Sequence, residues 1–173
     1  MAVTINASTT SGLVMTSDLS GVLTLQQNGV SLPNGGVAPA FSAYADGTQT
    51  ISTTTFTKVL FPTEEFDTNN NFASSRFTPT VAGYYQVNSE ILASSTVTVS
   101  RAFIQIYKNG SLFKNGNDIG VSASQRTTVS CLIYCNGSSD YIETYCYVNG
   151  SGTLGIGTGP NDSYFQACLV RGA

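Results

Sequence analysis

Phe77-Thr-Pro-Thr-Val-Ala-Gly-Tyr-Tyr-Gln-Val87 reads as a strand end at Phe77, a turn carried by Pro79 and Gly83, and a new strand opening on the pair Tyr84-Tyr85. Proline fixes φ and donates no ladder hydrogen bond, so it closes the first strand. Outward from this stretch, period-two alternation recurs in Thr57 to Phe61, Tyr84 to Leu92, Arg101 to Lys108, Thr127 to Cys135, Tyr141 to Val148 and Tyr164 to Val170. In Tyr141 to Val148, Ile142, Thr144, Cys146 and Val148 share one face, while Tyr141, Glu143, Tyr145 and Tyr147 share the other, because successive strand side chains point to opposite sides. The first face is core-like. The second, aromatic with polar tips, suits a surface that meets another subunit or water. Asn-Gly dipeptides at Asn28, Asn34, Asn109, Asn115, Asn136 and Asn149 signal hairpins, since both residues tolerate the positive φ of a type I′ turn. No window sustains helical periodicity, and the Gly, Pro, Asn and Thr content disfavours helix. The chain is predicted to be all-β, a β-sandwich or jelly roll.

The 173 residues are enough for one domain with a real core and too few for two domains and a linker. Only 10% of them are charged, well below the usual quarter or so; Ser, Thr, Asn, Gln and Gly must pave the surface. Seven basic residues, scattered singly among ten acidic ones, exclude nucleic acid as a partner, because phosphate neutralisation needs clustered Lys and Arg. No stretch approaches the roughly 18 apolar residues of a membrane helix, so no membrane partner is expected. Met1 to Ser8 lacks the basic start and apolar core of a signal peptide. Cys131, Cys135, Cys146 and Cys168 sit among Val, Ile, Leu and Tyr and read as buried thiols acting as small hydrophobes. Zinc is the alternative, against which stand the absence of histidine and of a Cys-x-x-Cys pair.

Residues 1–38 differ from the rest. They are rich in Ser, Thr, Asn and Gly and end in Pro33-Asn-Gly-Gly-Val-Ala-Pro39, a hinge-like run. Their apolar patches, Gly12 to Met15 and Gly21 to Leu25, are too small to bury a core alone. This segment is expected to be an extended attachment arm, with a hairpin around Asp18-Leu-Ser-Gly21, that gains order on a partner through Leu13, Val14, Met15, Val22, Leu23 and Leu25. The alternative is a strand pair integrated into the head. Residues 39–173 form the predicted head.

The quoted stretch, with Pro79, Gly83 and Tyr84-Tyr85, resembles the signature of the globular head of complement C1q and its tumour-necrosis-factor-like relatives. Further landmarks follow in order: Ala40-Phe-Ser-Ala43, Val59-Leu-Phe61 with Phe66-Asp67, Tyr107-Lys-Asn-Gly110, and a closing strand Ser163-Tyr-Phe-Gln-Ala-Cys-Leu-Val170. The resemblance covers the chain beyond the arm. It departs from the family at Gly137-Ser-Ser-Asp140, at Ala167 where glycine is usual, and in having no Gly-X-Y stalk before the head. The arm, with Gly12-Leu-Val-Met-Thr-Ser-Asp-Leu-Ser-Gly-Val-Leu23, is similar to the openings of small bacteriophage virion proteins that carry such a head. The resemblance implies a C1q/TNF-like jelly roll assembled as a homotrimer, binding through loops or outer faces, without catalysis.

The residues agree on the last point. Without histidine the chain lacks the commonest general base and catalytic metal ligand, and no Gly-x-Ser-x-Gly or Ser-x-x-Lys motif is present. No enzymatic activity, cofactor or metal is expected. Glu64-Glu-Phe-Asp67 is the densest acidic run, and such clusters can hold calcium. It continues as Thr68-Asn-Asn-Asn71 without EF-hand spacing and reads as a solvated loop. The glycine-rich run Gly150 to Gly159 is followed by a strand rather than a helix, so it reads as a loose recognition loop, not a phosphate cradle.

The expected protein is a trimeric capsid decoration or cement protein on the virion surface, assembled in the host cytoplasm. Its arm docks on other virion proteins of capsid or tail, and Tyr84, Tyr141, Tyr145, Tyr147 and Phe165 hold the trimer. One alternative is the receptor-binding tip of a phage tail fibre or spike, with a host-surface glycan or protein as partner. Another is a secreted C1q/TNF-like ligand.

Overall fold

The computed structural model describes residues 15–17, 23–27, 30–31, 38–120 and 122–173. Near the N-terminus β1 (Met15–Ser17), β2 (Leu23–Gln27) and β3 (Val30–Ser31) form a small antiparallel sheet of their own. Met15 stands opposite Leu25 and Ser17 opposite Leu23; the hairpin expected around Asp18 to Gly21 lies outside the described residues. Gln27 is paired with Val30; Asn28-Gly29 lies outside the described residues. Of the arm's candidate contacts, Met15, Leu23 and Leu25 lie on β1 and β2, whereas Leu13, Val14 and Val22 lie outside the described residues.

The remaining strands are β4 (Ala40–Tyr44), β5 (Gln49–Ile51), β6 (Thr57–Lys58), β7 (Thr63–Asp67), β8 (Phe72–Ala73), β9 (Arg76–Phe77), β10 (Ala82–Lys108), β11 (Ser111–Ile119), β12 (Ser122–Asn136), β13 (Ile142–Ser151), β14 (Leu154–Ile156) and β15 (Tyr164–Gly172). They wrap into a jelly roll of two layers that share β10. Its first half, Ala82 to Ser94, pairs with β12 on one side and β15 on the other. β15 then pairs with β4, and β4 with β7. Its second half, Arg101 to Lys108, pairs with β11 and β13. β13 adds β6 at Tyr145↔Lys58 and β9 at Ile142↔Phe77.

The two alternating segments Tyr84 to Leu92 and Arg101 to Lys108 are therefore one strand. Their phases differ because the pairing with β13 shifts between Val99 and Arg101. Up to Val99 the odd residues Tyr85, Val87, Ile91 and Ala93 are buried; afterwards the even residues Ala102, Ile104 and Ile106 are. Ser100 is the extra residue of a β-bulge, and one extra residue inverts every later side chain.

Both layers bury an aromatic core. Phe41 stacks on Phe72 and Phe77 with ring centroids 4.5 and 4.6 Å apart, and Phe165 meets Phe41 edge-on at 4.9 Å. Tyr85 is fully buried, and its hydroxyl donates to the Val81 carbonyl at 2.7 Å, satisfying the one polar atom on a buried ring. Within the sequence stretch that first indicated the fold, Phe77 and Tyr85 thus serve the core and Tyr84 the outside. Gly83 has a different reason. β15 bulges between Tyr84 and Tyr85, so a Cβ on Gly83 would overlap the Arg171 carbonyl oxygen and stand 2.7 Å from Leu169 Cδ1.

Three expectations are corrected. Asn109-Gly110 does form the hairpin turn between β10 and β11, both residues having positive φ. Asn115-Gly116 and Asn149-Gly150, however, lie within β11 and β13 at register shifts, where glycine admits a close carbonyl rather than a turn. The run Gly150 to Gly159 is pinned at its centre: β14 pairs with β10 and β5, and Leu154 and Ile156 are buried. The acidic run Glu64 to Asp67 is part of β7; Asp67 accepts from the Phe72 amide at 2.7 Å and Glu65 from the Ser42 hydroxyl at 2.6 Å.

Gly83→Ala is expected to destabilise the protein by about 1–3 kcal/mol, the range for overpacking a filled site. Gly47→Ala, where an added Cβ meets nothing within 4 Å, is expected to be neutral or slightly stabilising. Urea unfolding of both variants checks the pair.

Candidate functional site

The outward face of the first layer is built by alternation. Tyr84, Gln86, Asn88 and Glu90 of β10 stand beside Tyr134, Leu132, Ser130 and Thr128 of β12, while the residues between them face the core. Tyr84, Leu132 and Tyr134 are 46%, 54% and 42% exposed, and the two tyrosine rings lie 5.5 Å apart. Val170 and Cys168 of β15 are exposed on the other side of β10. Next to the apolar group runs a fixed polar strip: Gln86 Nε2 donates to Ser130 Oγ at 2.8 Å, and Ser130 Oγ donates to Asn88 Oδ1 at 2.8 Å. An apolar cluster on a sheet face, beside hydrogen-bonded polar groups, is the composition of an interface.

The second layer presents the aromatic face expected from β13. Tyr145 stacks on Tyr107 at 4.1 Å, and Tyr147 on Phe103 at 4.9 Å. Phe56 leans on Tyr147 at 5.3 Å. Glu143 lies between the tyrosines and is only 2% exposed. Its Oε1 accepts from Lys58 Nζ at 2.6 Å and from Arg76 Nε at 2.9 Å. Burial opposes the charge on this carboxylate, but the hydrogen bonds and charges of Lys58 and Arg76 outweigh it and hold the Glu143 carboxyl below its ordinary range. The Arg76 guanidinium lies 3.9 Å above the Tyr141 ring. Lys58 and Arg76, with Asn70, Asn71, Ser74 and Thr78, line an open cleft of about 480 Å³.

The structure does not bring the five expected trimer residues together. Tyr84 is on the first layer; Tyr141, Tyr145 and Tyr147 are on the second, facing away from it. Phe165 is fully buried against Phe41, Phe61 and Phe72, so it holds the subunit's own core and presents nothing to a neighbour. Leu132 and Tyr134 lie outside that set, although the alternation of Thr127 to Cys135 sets them opposite Cys131, Ile133 and Cys135. Lys58, Arg76 and Glu143 carried no sequence signal, because they meet only through β6, β9 and β13.

Cys131, Cys135 and Cys146 are buried, as expected, and Cys168 is exposed, which corrects the reading of all four as buried. Burial pushes the Cys135 thiol up to about 11 and the Cys146 thiol up to about 12. Among the described residues, no group of three or more His, Cys, Asp or Glu is placed to hold a metal ion.

No family model matches the sequence, and no curated protein matches it. Solved structures do match in shape. The globular domain of zebrafish complement 1qA superposes with a TM-score of 0.59 at 16% identity, covering 79% of this chain and 99% of its own. Murine APRIL, in crystals at pH 5.0, gives 0.57 at 10% identity over 77% of this chain and 99% of its own. The Eiger TNF of S. frugiperda gives 0.54 at 10% identity over 79% and 94%. The chain has the C1q/TNF-like jelly-roll fold.

Two outcomes follow from the site. Because the folded-state pKa of Glu143 lies below its ordinary 4.5, its ion pairs contribute fully above that pH, and the contribution is lost as the pH falls below it. The urea midpoint of the wild type should therefore drop more steeply than that of Glu143→Gln between about pH 5 and about pH 3. In native protein at neutral pH, iodoacetamide should label Cys168 first and leave the three buried thiols intact, as read by peptide mass mapping.

Proposed function

We propose that the protein is a non-enzymatic structural protein that assembles as a homotrimer through the outward face of its first layer and decorates a virion surface, docked by residues 1–38 while residues 39–173 form the head. The observation that carries the assembly is the exposed group Tyr84, Leu132 and Tyr134 beside the bonded strip Gln86, Ser130 and Asn88. A lone subunit leaves this apolar area in water, and a second copy removes it. The C1q/TNF-like fold supports a three-fold arrangement, because the sequence resemblance implies one. This reading replaces the set led by Tyr141, Tyr145 and Tyr147 with one face of one sheet.

Support for the virion reading comes from the N-terminal segment. Its Ser/Thr/Asn/Gly-rich composition and its similarity to the openings of phage virion proteins suit attachment to a larger body. Its strands β1 to β3 pair only with one another among the described residues. Clamping of a shell by many such heads would raise particle stability by mass action.

Light scattering is expected to give a trimer at micromolar concentration for the wild type and a monomer for Leu132→Asp/Tyr134→Asp, since charges on the contact face must be desolvated. A wild-type monomer would end the assembly reading. Deleting residues 1–37 should leave a soluble trimer that no longer joins the particle. Cys168, on the same face, should react with iodoacetamide faster in the Leu132→Asp/Tyr134→Asp monomer than in the wild-type trimer. Copy number per particle separates decoration from a fibre or spike tip, which needs only a few trimers.

A further inference from the structure

The charge of this acidic chain is divided between its two layers. Of the seven basic residues, Lys58, Arg76, Arg101, Lys108 and Lys114 stand on β6, β9, β11 and the second half of β10. The acids on that side are Asp118, Asp140 and Glu143, and each is engaged with one of these cations or a pair of them. The first layer and its connections carry Asp46, Glu64, Glu65, Asp67, Glu90 and Asp162 against Arg126 and Arg171. On the outward face of the second layer Lys58 and Arg76 share the single carboxylate of Glu143, so in a protein of net charge −3 that face carries a local positive surplus, and such a surplus attracts anions.

Arg76 is the centre of that face. Its Nε is committed to Glu143, and its plane lies on the Tyr141 ring. Its two terminal amino groups have no partner among the described residues, and the side chain is 44% exposed at the cleft. One carboxylate oxygen therefore holds two cations, Lys58 and Arg76, which leaves a surplus positive charge. A guanidinium fixed through Nε and by stacking offers its remaining N–H edge as a ready fork. That fork matches the two oxygens of a carboxylate, with little side-chain freedom left to lose on binding.

The surroundings add a second requirement. The cleft beside Arg76 is lined by Asn70, Asn71, Ala73, Ser74 and Thr78; the Asn71 amide is committed to Asn69 and Thr80, so the Asn70, Ser74 and Thr78 side chains are the ones that offer polar partners to hydroxyl groups. Ser74 and Ser75 both hold positive φ in the tight turn between β8 and β9. Lys58 Nζ bonds the Ser74 carbonyl at 3.0 Å, and Ser75 Oγ accepts from the Phe61 amide at 2.8 Å. The cleft wall is thus a braced turn, and the Tyr141 ring lies against the Arg76 guanidinium.

The geometry points to a binding site for the carboxylate of an acidic saccharide, with Arg76 as the bidentate receptor, Lys58 as the second cation, and the Asn70, Ser74 and Thr78 side chains meeting ring hydroxyls. It is separate from the trimer face, so it stands or falls independently of the assembly proposed above.

The test is calorimetric titration of the full chain with an oligosaccharide of uronic acid residues at low ionic strength. Saturable binding that weakens as sodium chloride is added is expected. Arg76→Gln should lose at least about tenfold in affinity, the worth of a hydrogen bond to a charged group. Arg76→Lys, which keeps the charge and loses the fork, should be weakened as well; it is the informative variant if Arg76→Gln melts early. Arg101→Gln, at the separate Arg101–Asp118 pair, should bind as the wild type does. Several results overturn the proposal: no wild-type binding, full affinity in Arg76→Lys, poly-L-glutamate binding as tightly as the saccharide, or free acetate competing at equal carboxylate concentration.

Discussion

Strand β10 is the constraint on which the rest of the molecule depends. Its 27 residues hydrogen-bond to five other strands, β11 to β15, and they pass from one layer to the other without a break. Backbone groups that a loop would have to satisfy with side chains or water are satisfied here by ladders on both sides. The crossing works because the Ser100 bulge inverts the side-chain phase. Without that extra residue, the face that buries Tyr85, Val87 and Ile91 in the first layer would continue as Arg101, Phe103 and Tyr107 pointing into the core of the second. The bulge therefore sets, from a single backbone irregularity, which aromatic residues become core and which become surface.

The two outward faces have different physics. The face around Tyr84, Leu132 and Tyr134 has exposed apolar area and a polar strip whose donors and acceptors are already engaged with one another. Covering it removes that apolar area from water. The face around Glu143 is held together by electrostatics. A carboxylate this buried is tolerable only because Lys58 and Arg76 reach it, since breaking a buried pair leaves an uncompensated charge. That necessity fixes Arg76 in place and leaves a half-exposed guanidinium with its terminal N–H edge turned to solvent. The structural demand of one residue thus creates the chemical opportunity of another.

Several elements were legible because their signals are local. Pro79 and Gly83 punctuate the chain through dihedral and steric limits that act within a few residues. Period-two alternation marks the inward residues Val87, Ile133 and Cys146 wherever a strand has one wet face. Asn109-Gly110 was readable as a hairpin for the same reason. Asn115-Gly116 and Asn149-Gly150 were not, because glycine serves close backbone approach as readily as a positive φ, and the approaching strand is distant in sequence. The run Gly150 to Gly159 looked loose because Leu154 and Ile156 are only two apolar residues among many glycines; the pairing that pins them comes from Ala93 to Ser95 and from β5.

By itself the sequence determined the all-β class, the absence of any histidine chemistry, and which residues of each strand could face a core together. These follow from single-residue backbone limits and a repeat of two, which need no knowledge of partners. Tertiary structure alone decided which surface each outward residue joined. Tyr84 and Tyr145 are alike in sequence context, but they belong to opposite layers, and Phe165 lies between those layers. Lys58, Arg76 and Glu143 are a cluster only because β6 and β9 both pair with β13. Long-range strand pairing chooses such neighbours by global packing, and alternation along a strand holds no record of which strand lies beside it.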